Sequence, residues 1–375
     1  MLKNRKIFFL GLIVISLAGV LLFRFFLGKT SSSKLERSKK ISFLISSYNE
    51  SGQSNWNLFL ILYPKERRAI VYFANDLLAL PKESKLLRDL GKASLSELKE
   101  FIKNAVGFSP TYTIQYDEEV FVRLIDLLGG LPFYLETLKY SKTDAYQFET
   151  GMENFSGEEI QHFALSNQQM DLQTSIGSVY KKESLFLATY DSVFRDETIF
   201  KRESIFLLSS LLKTNLSKEE IFQLSDFFKK NRISFLTVEI PAESKLNLST
   251  KKEYLEANFD SFKNSFSNLE KEILGNEFGE NELSKLEVLN GTDINGLGKR
   301  GKSYLVDKRY RILSVGNAWR NDFKNTYIFN RSGNTAFTDS LLKDLENGIV
   351  AHSIQKDLGI DATVVVGENF KESSN

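Results

Sequence analysis

Hydrophobic residues are arranged differently in three parts of the chain. Residues 7–23 are an unbroken run of uncharged and mostly apolar residues. Residues 28–40 are polar and rich in lysine. From residue 41 onward, short apolar runs alternate with amphipathic stretches of helical period. The pattern predicts an apolar N-terminal segment, a polar tether and a large folded region.

The N-terminal run is long enough to cross a membrane. If the charged end of Arg24 reaches back to the interface, residues 7–27 provide the roughly 20 apolar residues that a spanning helix needs. A cleaved signal peptide is the alternative, but no clear small-x-small cleavage site follows the run, so we favour an uncleaved anchor. Basic residues on both sides make the positive-inside count ambiguous. The short basic tail at residues 1–6 favours a cytoplasmic N-terminus. We therefore expect a single-pass protein of the inner or cytoplasmic membrane, with its bulk on the periplasmic or extracellular side.

Residues 41–245 are predicted to form one α/β (α+β) domain. Two strand-like runs at 58–63 and 69–74 are joined by a hairpin-like turn, and Ser-x-x-Glu capping boxes begin helices at Ser94 and Ser217. The predicted strands lie at 41–46, 58–63, 69–74, 111–116, 133–136 and 235–241, and the predicted helices at 94–104, 118–128, 157–165, 181–190, 200–213 and 217–230. This alternation predicts three layers with a central mixed sheet.

A second, smaller domain is predicted after a linker. Residues 246–283 are mostly polar with helical propensity, which suggests a helical linker between the two domains. Residues 284–371 contain strand and helix patterns in the order βαββαβ, which is typical of a small α/β sandwich. The predicted strands lie at 286–290, 310–315, 326–330 and 363–366, and the helices at 297–307 and 336–348.

Composition excludes several kinds of chemistry. The chain of 375 residues has 49 basic and 48 acidic residues, so it lacks the basic excess of a nucleic-acid-binding protein. It has no cysteine, which excludes thiol catalysis, disulfides and cysteine-ligated metals. Its two histidines, His162 and His352, are far apart in sequence and cannot supply a histidine-rich metal site.

Three places carry candidate chemistry, each with a structural alternative. Asp76 follows a buried-looking strand, where α/β proteins often place functional side chains, but it could also be a turn residue that caps local backbone. The loop 290–292, Asn-Gly-Thr, lies between a strand and a helix and could cradle phosphate, although a tight connection explains it as well. His162 lies in a helical pattern, where packing or surface exposure is a simpler explanation than a catalytic base. Trp56, Phe59 and Phe73 are most simply core residues.

Several segments resemble the LytR-CpsA-Psr family of cell-envelope proteins. LYPKERRAIVYFANDLLA at 62–79 is similar to a strand, turn, strand and Pro-Arg-Asp segment of the family. TIQYDEEVFVRLIDLLGGLPFYLE at 113–136 and TNLSKEEIFQL at 214–224 resemble later parts of the same domain. LEVLNGTDINGLGKR at 286–300 and TVVVGENF at 363–370 are similar to the LytR C-terminal domain. Together these resemblances span most of the chain after the tether.

The resemblance implies an exported enzyme that transfers a glycopolymer from a polyprenyl pyrophosphate carrier to peptidoglycan, with Mg²⁺ as cofactor. Such chemistry needs a metal and cations to hold the pyrophosphate, and apolar walls to hold the lipid. By the resemblance, Asp76 is the catalytic and metal-binding carboxylate. The positions matched to substrate binding hold Asn75, Asn55, Lys181 and Lys182.

The sequence departs from the family pattern at these positions. The Arg-Ser-Asp-like segment of the family is Gln53-Ser54-Asn55 here, and the Pro-Arg-Asp segment is Ala74-Asn75-Asp76. The stretch 161–182, where the family has arginines, contains none; it has Lys181 and Lys182, with Asp171 as a stray carboxylate. Lysine does not replace the bidentate fork of arginine.

Two interpretations follow. We favour a membrane-anchored protein whose site is catalytically degenerate and which binds a lipid or glycan, or acts as a scaffold, in envelope assembly. The alternative is an active Mg²⁺-dependent phosphotransferase that uses different residues. A role in transcription, suggested only by a historical family name, fits neither the even charge nor the export topology. Geometry separates the two main interpretations. Convergence of Asp76 and the other polar candidates at the mouth of an apolar pocket would favour the ligase, and a pocket mouth without cations would favour the binding protein.

Overall fold

The computed structural model describes residues 38–81, 85–136, 150–165, 172–196, 201–247, 252–275 and 284–371. It divides into two compact units. The first ends at Ile273 and the second begins at Leu274, apart from Ser234–Thr237, which group with the second. The predicted anchor at residues 7–27 and most of the tether lie outside the described residues. Within the described ranges, no helix is both long and apolar enough to cross a membrane.

The first unit is built on a six-stranded mixed sheet with the order β8-β5-β1-β2-β3-β9. β1 pairs antiparallel with β2 and parallel with β5, and β2 pairs antiparallel with β3. Within the described ranges, the first eleven strands in chain order are β1 (Ile41–Tyr48), β2 (Ser54–Tyr63), β3 (Arg68–Phe73), β4 (Leu78–Ala79), β5 (Tyr112–Asp117), β6 (Leu131–Leu135), β7 (Gly151–Phe155), β8 (Lys213–Thr214), β9 (Ser234–Glu239), β10 (Ala242–Leu246) and β11 (Glu253–Ala257).

Helices account for the burial of the central strands. Every residue of β1 is buried, which is expected of a strand covered on both faces. The helices are α1 (Ser94–Val106), α2 (Glu119–Leu127), α3 (Gly157–Leu165), α4 (Leu172–Arg195), α5 (Arg202–Leu211), α6 (Lys218–Lys230) and α7 (Phe259–Leu274). A 3₁₀ helix at Leu87–Ala93 precedes α1. Trp56, Phe59 and Phe73 are buried, as predicted for core residues.

The two predicted capping boxes have different outcomes. Ser217 accepts from the backbone N–H of Glu220 while the Glu220 side chain accepts from the Ser217 backbone, so that box is formed. Ser94 makes no cap, because the chain is already helical at Ala93 after the 3₁₀ helix and Ser94 lies inside the first turn.

The predicted linker at 246–283 differs from the structure. β11 pairs antiparallel with β10 and parallel with β4 in a three-stranded sheet. α7 inserts Phe262 among aromatic residues of the first unit, with ring centroids 4.8 Å from Tyr72 and 5.6 Å from Phe101. The polar surface of α7 concealed this buried face. Residues 252–273 are therefore part of the first unit rather than a tether between domains.

The second unit has one strand more than predicted. Its mixed sheet has the order β13-β12-β16-β14-β15. The elements are β12 (Lys285–Asn290), α8 (Leu297–Asp307), β13 (Arg311–Asn317), β14 (Thr326–Asn330), α9 (Thr335–Asp344), β15 (Gly348–His352), a 3₁₀ helix at Lys356–Leu358 and β16 (Ala362–Val366). The order βαββαβ is corrected to βαββαββ. The extra strand, β15, is short and half-buried, so it lacks a strong alternating pattern.

Candidate functional site

Four elements of the first unit bring polar side chains to one edge of the six-stranded sheet. Asn55 lies at the start of β2 and Asp76 lies just after β3, which runs antiparallel to β2. Glu118 follows β5, whose C-terminal end lies beside that of β1 because the two strands are parallel. Ser178 and Lys182 come from α4 and share one face of that helix, since they are four residues apart.

A buried ion pair lies at the centre of this group. The Lys182 Nζ donates to Asp76 Oδ1 and, at 2.7 Å, to the backbone oxygen of Asn55. The Ser178 hydroxyl donates to the other carboxylate oxygen, Asp76 Oδ2, at 2.9 Å. The side chains of Lys182 and Asp76 are only 3% and 8% exposed. Both carboxylate oxygens of Asp76 are therefore engaged by donors of the protein itself.

Glu118 adds a second carboxylate beside the pair. Its Oε1 accepts from Asn55 Nδ2, and its backbone N–H donates to the backbone oxygen of Tyr48 at 2.9 Å. Burial raises the pKa of Glu118, and the charge of Asp76 raises it further, while hydrogen bonds from Asn55 and Gln161 and the charge of Lys182 oppose the shift. The raised pKa indicates that Glu118 lies in a site where negative charge is unfavourable.

The two lysines predicted for substrate binding have different surroundings. Lys182 is paired with Asp76, whereas the Nζ of Lys181 lies 5.2 Å from the ring centroid of Phe163. Burial lowers the pKa of Lys181 to about 8. Consecutive residues of a helix point about 100° apart, so a helix that aims Lys182 at Asp76 cannot aim Lys181 there as well.

Asn75 lies next to Asp76 but is held by local backbone. Its Oδ1 accepts from the Leu77 N–H at 2.9 Å, and its Nδ2 is a buried donor for which the described residues provide no acceptor. An unmet buried donor costs free energy, so this amide is available to a ligand that brings an oxygen.

A small cleft adjoins the group. Its empty volume is about 260 Å³, part of which is open to solvent. Trp56 and Phe121 form an aromatic wall, with ring centroids 5.5 Å apart. The cleft is lined by Ser47, Trp56, Tyr116, Glu118, Phe121, Gln161 and Ala164. The described lining therefore contains one ionisable carboxylate and no cationic side chain.

The Mg²⁺ site implied by the resemblance does not fit these residues. Mg²⁺ requires near-octahedral oxygen ligands at about 2.0–2.1 Å, supplied by one or two carboxylates with water or phosphate. At Asp76 the Lys182 ammonium already bonds Oδ1 and would repel a metal cation there, and the Ser178 hydroxyl donates to Oδ2. Across the described ranges, no group of three or more His, Asp or Glu side chains could hold a metal.

The remaining sequence candidates lie elsewhere. Asn290 Oδ1 accepts from the backbone N–H and the hydroxyl of Thr292, at 3.0 and 2.9 Å, so the loop is a self-satisfied βα connection. A Cβ on Gly291 would lie 2.7 Å from Val365, which explains the glycine by packing. His162 is exposed on α3, and Asp171 lies outside the described residues.

Sequence reasoning missed Glu118, Ser178 and Gln161. Glu118 directly follows a strand that runs parallel to β1, a position comparable to that of Asp76, and this was the available signal. Ser178 could have been found by its spacing of four residues from Lys182. Gln161 carries no such signal, because only tertiary packing brings α3 to Glu118.

Comparison with known proteins identifies the second unit directly. Residues 284–370 match the family model LytR_C, described as LytR cell envelope-related transcriptional attenuator. No curated protein sequence matches the chain.

Solved structures match about two thirds of the chain at the level of the fold. TagV of B. subtilis is 18% identical, with a TM-score of 0.51 over 64% of this chain and 98% of that chain. TagT bound to LIIa-WTA is 13% identical, with a TM-score of 0.52 over 68% of this chain and 99% of that chain. EF0465 of Enterococcus faecalis, described as a transcriptional regulator, is 11% identical, with a TM-score of 0.52 over 65% of this chain and 91% of that chain. These findings confirm the resemblance drawn from the sequence: the chain combines the fold of TagV and TagT with a LytR C-terminal domain, as expected of a LytR-CpsA-Psr protein.

Proposed function

We propose that this protein is a membrane-anchored, envelope-facing module that binds a lipid-linked glycan or its glycopolymer during cell-envelope assembly, without transferring it. A role in the cell envelope is supported by the LytR C-terminal domain and by the fold shared with TagV and TagT. A glycopolymer as ligand is supported by the structure of TagT with LIIa-WTA, a wall teichoic acid compound.

One observation carries the non-catalytic part of the proposal. The described lining of the cleft holds the carboxylate of Glu118 and no cation, while Lys182 in the adjoining polar group is paired with Asp76. Transfer from a pyrophosphate requires positive charge at the leaving group, since its charge grows in the transition state. The described lining therefore lacks the positive charge that a transferase needs.

The cleft instead suits a hydroxyl-rich ligand. Gln161 and Glu118 provide polar side chains beside the ring of Trp56, whereas Ser47 and Tyr116 are buried and hydrogen-bonded to each other. The empty space of about 260 Å³ includes open solvent, so the cleft can contact part of a ligand at the surface but does not enclose one.

A transfer assay tests the absence of catalysis. The purified full-length chain in detergent is incubated with a polyprenyl pyrophosphate-linked glycan and peptidoglycan, with and without Mg²⁺. We expect no product above the protein-free reaction. Robust Mg²⁺-dependent transfer that is lost in Asp76→Ala would refute the proposal and restore the ligase as the function.

A binding assay tests the cleft. Titration of wall teichoic acid against the full-length chain is compared for Phe121→Ala and Phe101→Ala. Both rings are 7% exposed, but only Phe121 lines the cleft. We expect Phe121→Ala to weaken binding about tenfold and Phe101→Ala to leave it unchanged. Equal loss in both variants would contradict a binding role for the cleft.

The membrane topology is part of the proposal and has its own test. It rests on the apolar run at residues 7–23 and the short basic tail before it. Protease added to intact cells, with any outer membrane permeabilised, should digest the region after Arg24. Full protection of that region would refute the outward orientation.

A further inference from the structure

The surroundings of the Lys182 ammonium consist of oxygen atoms. It contacts Asp76 Oδ1 and the Asn55 backbone oxygen, and the carboxylate of Glu118 lies close enough to interact electrostatically with it. The Asn55 residue connects these groups, because its carbonyl accepts from Lys182 while its side chain donates to Glu118. Carboxylate and carbonyl oxygens are also the ligands that proteins use for hard divalent cations.

Burial makes this arrangement depend on the ammonium. Asp76 is 7% exposed and Glu118 is 9% exposed, so solvent screens their charges poorly. Two partly buried carboxylates that share a site repel each other unless a cation lies between or beside them. Lys182 supplies that cation from within the chain, on a helix that is itself buried around this position.

From this geometry we infer that the Lys182 ammonium is the resident cation of the site and takes the place of a divalent metal at Asp76 and the Asn55 carbonyl. The cation is tethered covalently, so ligand binding at the adjoining cleft is independent of divalent metals. Removal of the lysine head should leave an oxygen-lined position that accepts a divalent cation. The inference deepens the proposed function and rests on it for the identity of the site.

Metal titration tests the inference with a readout that does not depend on transfer. Mn²⁺ is titrated against the full-length chain in detergent, and free Mn²⁺ is followed by electron paramagnetic resonance, with Mg²⁺ as competitor. The variants are Lys182→Ala, Asp76→Asn, the double variant that combines these two changes, and Lys181→Ala as the matched control at the neighbouring helix position.

The wild type and Lys181→Ala should show no saturable site. Lys182→Ala should bind one Mn²⁺ per chain at least about tenfold more tightly than the wild type, and the double variant should lose that binding. Mn²⁺ should also raise the melting temperature of Lys182→Ala alone, since a ligand that binds only the folded state stabilises it.

Two results would overturn the inference. The first is saturable Mn²⁺ binding by the wild type that disappears in Asp76→Asn. The second is a folded Lys182→Ala variant that binds Mn²⁺ no better than the wild type. If Lys182→Ala does not fold even with Mn²⁺ present, the titration of the wild type decides the question. A wild type without a saturable Mn²⁺ site supports the inference, and a wild-type Mn²⁺ site that depends on Asp76 refutes it. Because these outcomes measure metal binding, they are distinguishable from failure of the proposed function, which is measured by transfer and glycan binding.

Discussion

The ion pair between Asp76 and Lys182 provides a quantitative test of the site. Lys182→Met removes the ammonium and keeps a side chain of similar length, while Asp76→Asn removes the charge and keeps the shape of the carboxylate. Each single change leaves a buried charge without its partner, because the two side chains are 8% and 3% exposed. Breaking a buried pair in this way typically costs about 3–5 kcal/mol.

The double variant should be far more stable than the sum of the single variants predicts. When both charges are removed together, no uncompensated charge remains, and buried pairs replaced by neutral groups are often close to neutral in stability. The double-mutant cycle should therefore give an interaction energy above the roughly 0.5–3 kcal/mol that is usual for neighbouring residues, up to about 6–10 kcal/mol if the double variant is as stable as the wild type. The Ser178 hydroxyl keeps a hydrogen-bond partner in Asp76→Asn, since the amide oxygen can accept, so this contact changes little.

Tryptophan fluorescence can measure this cycle in the intact chain. The protein has two tryptophans, Trp56 in the first unit and Trp319 in the second. A Trp319→Phe background leaves Trp56, which lines the adjoining cleft, as the sole tryptophan during urea unfolding. An interaction energy below about 0.5 kcal/mol would show that the two residues act independently and would refute the buried pair.

Three further predictions concern stability. Burial lowers the pKa of Lys181 from 10.5 to about 8, so below pH 8 folding buries a charged ammonium at a cost in free energy. Lys181→Met avoids this cost. Its advantage in unfolding free energy should therefore shrink by about 3 kcal/mol between pH 7 and pH 10.5, measured by urea unfolding at each pH. A pH-independent difference would contradict the buried lysine. A Cβ at Gly157 would lie 2.1 Å from the Val122 carbonyl oxygen, so Gly157→Ala should destabilise the protein by about 1–3 kcal/mol. A Cβ at Gly177, inside α4, would meet nothing within 4 Å, so Gly177→Ala should stabilise the protein by about 0.5–1 kcal/mol in the same assay. If both variants were destabilised, the open surroundings of Gly177 in α4 would be contradicted. A fragment of residues 283–371, which contains its own core around Val288, should melt cooperatively in calorimetry; a broad transition would mean that it depends on the rest of the chain.

The sequence alone was sufficient for the main secondary-structure elements of the first unit. Continuous apolar runs identified β1, β2 and β3, because a central strand covered on both faces has no polar positions to alternate. The capping box at Ser217 identified the start of α6, because its contacts involve residues only three apart. These features are encoded locally, and they do not depend on the rest of the fold.

The same is true of the position of Asp76 and of the C-terminal domain. Asp76 was singled out because it follows a strand, and it lies in the polar group at the sheet edge. The stretches at 286–300 and 363–370 carried enough of the LytR C-terminal pattern to be recognised.

Tertiary structure alone decided the partners of these residues. Lys181 and Lys182 are adjacent in sequence and equal in chemistry, yet the rotation of α4 pairs one with Asp76 and places the other over Phe163. Glu118 joins the site because β5 crosses to lie parallel to β1, and parallel strands are neighbours only through a long connection. Likewise β11 and α7, polar enough to resemble a linker, become part of the first unit through pairing with β4 and through the burial of Phe262. Local periodicity records which residues prefer to be buried, whereas the choice of what each residue contacts requires the distant segments of the chain to be brought together.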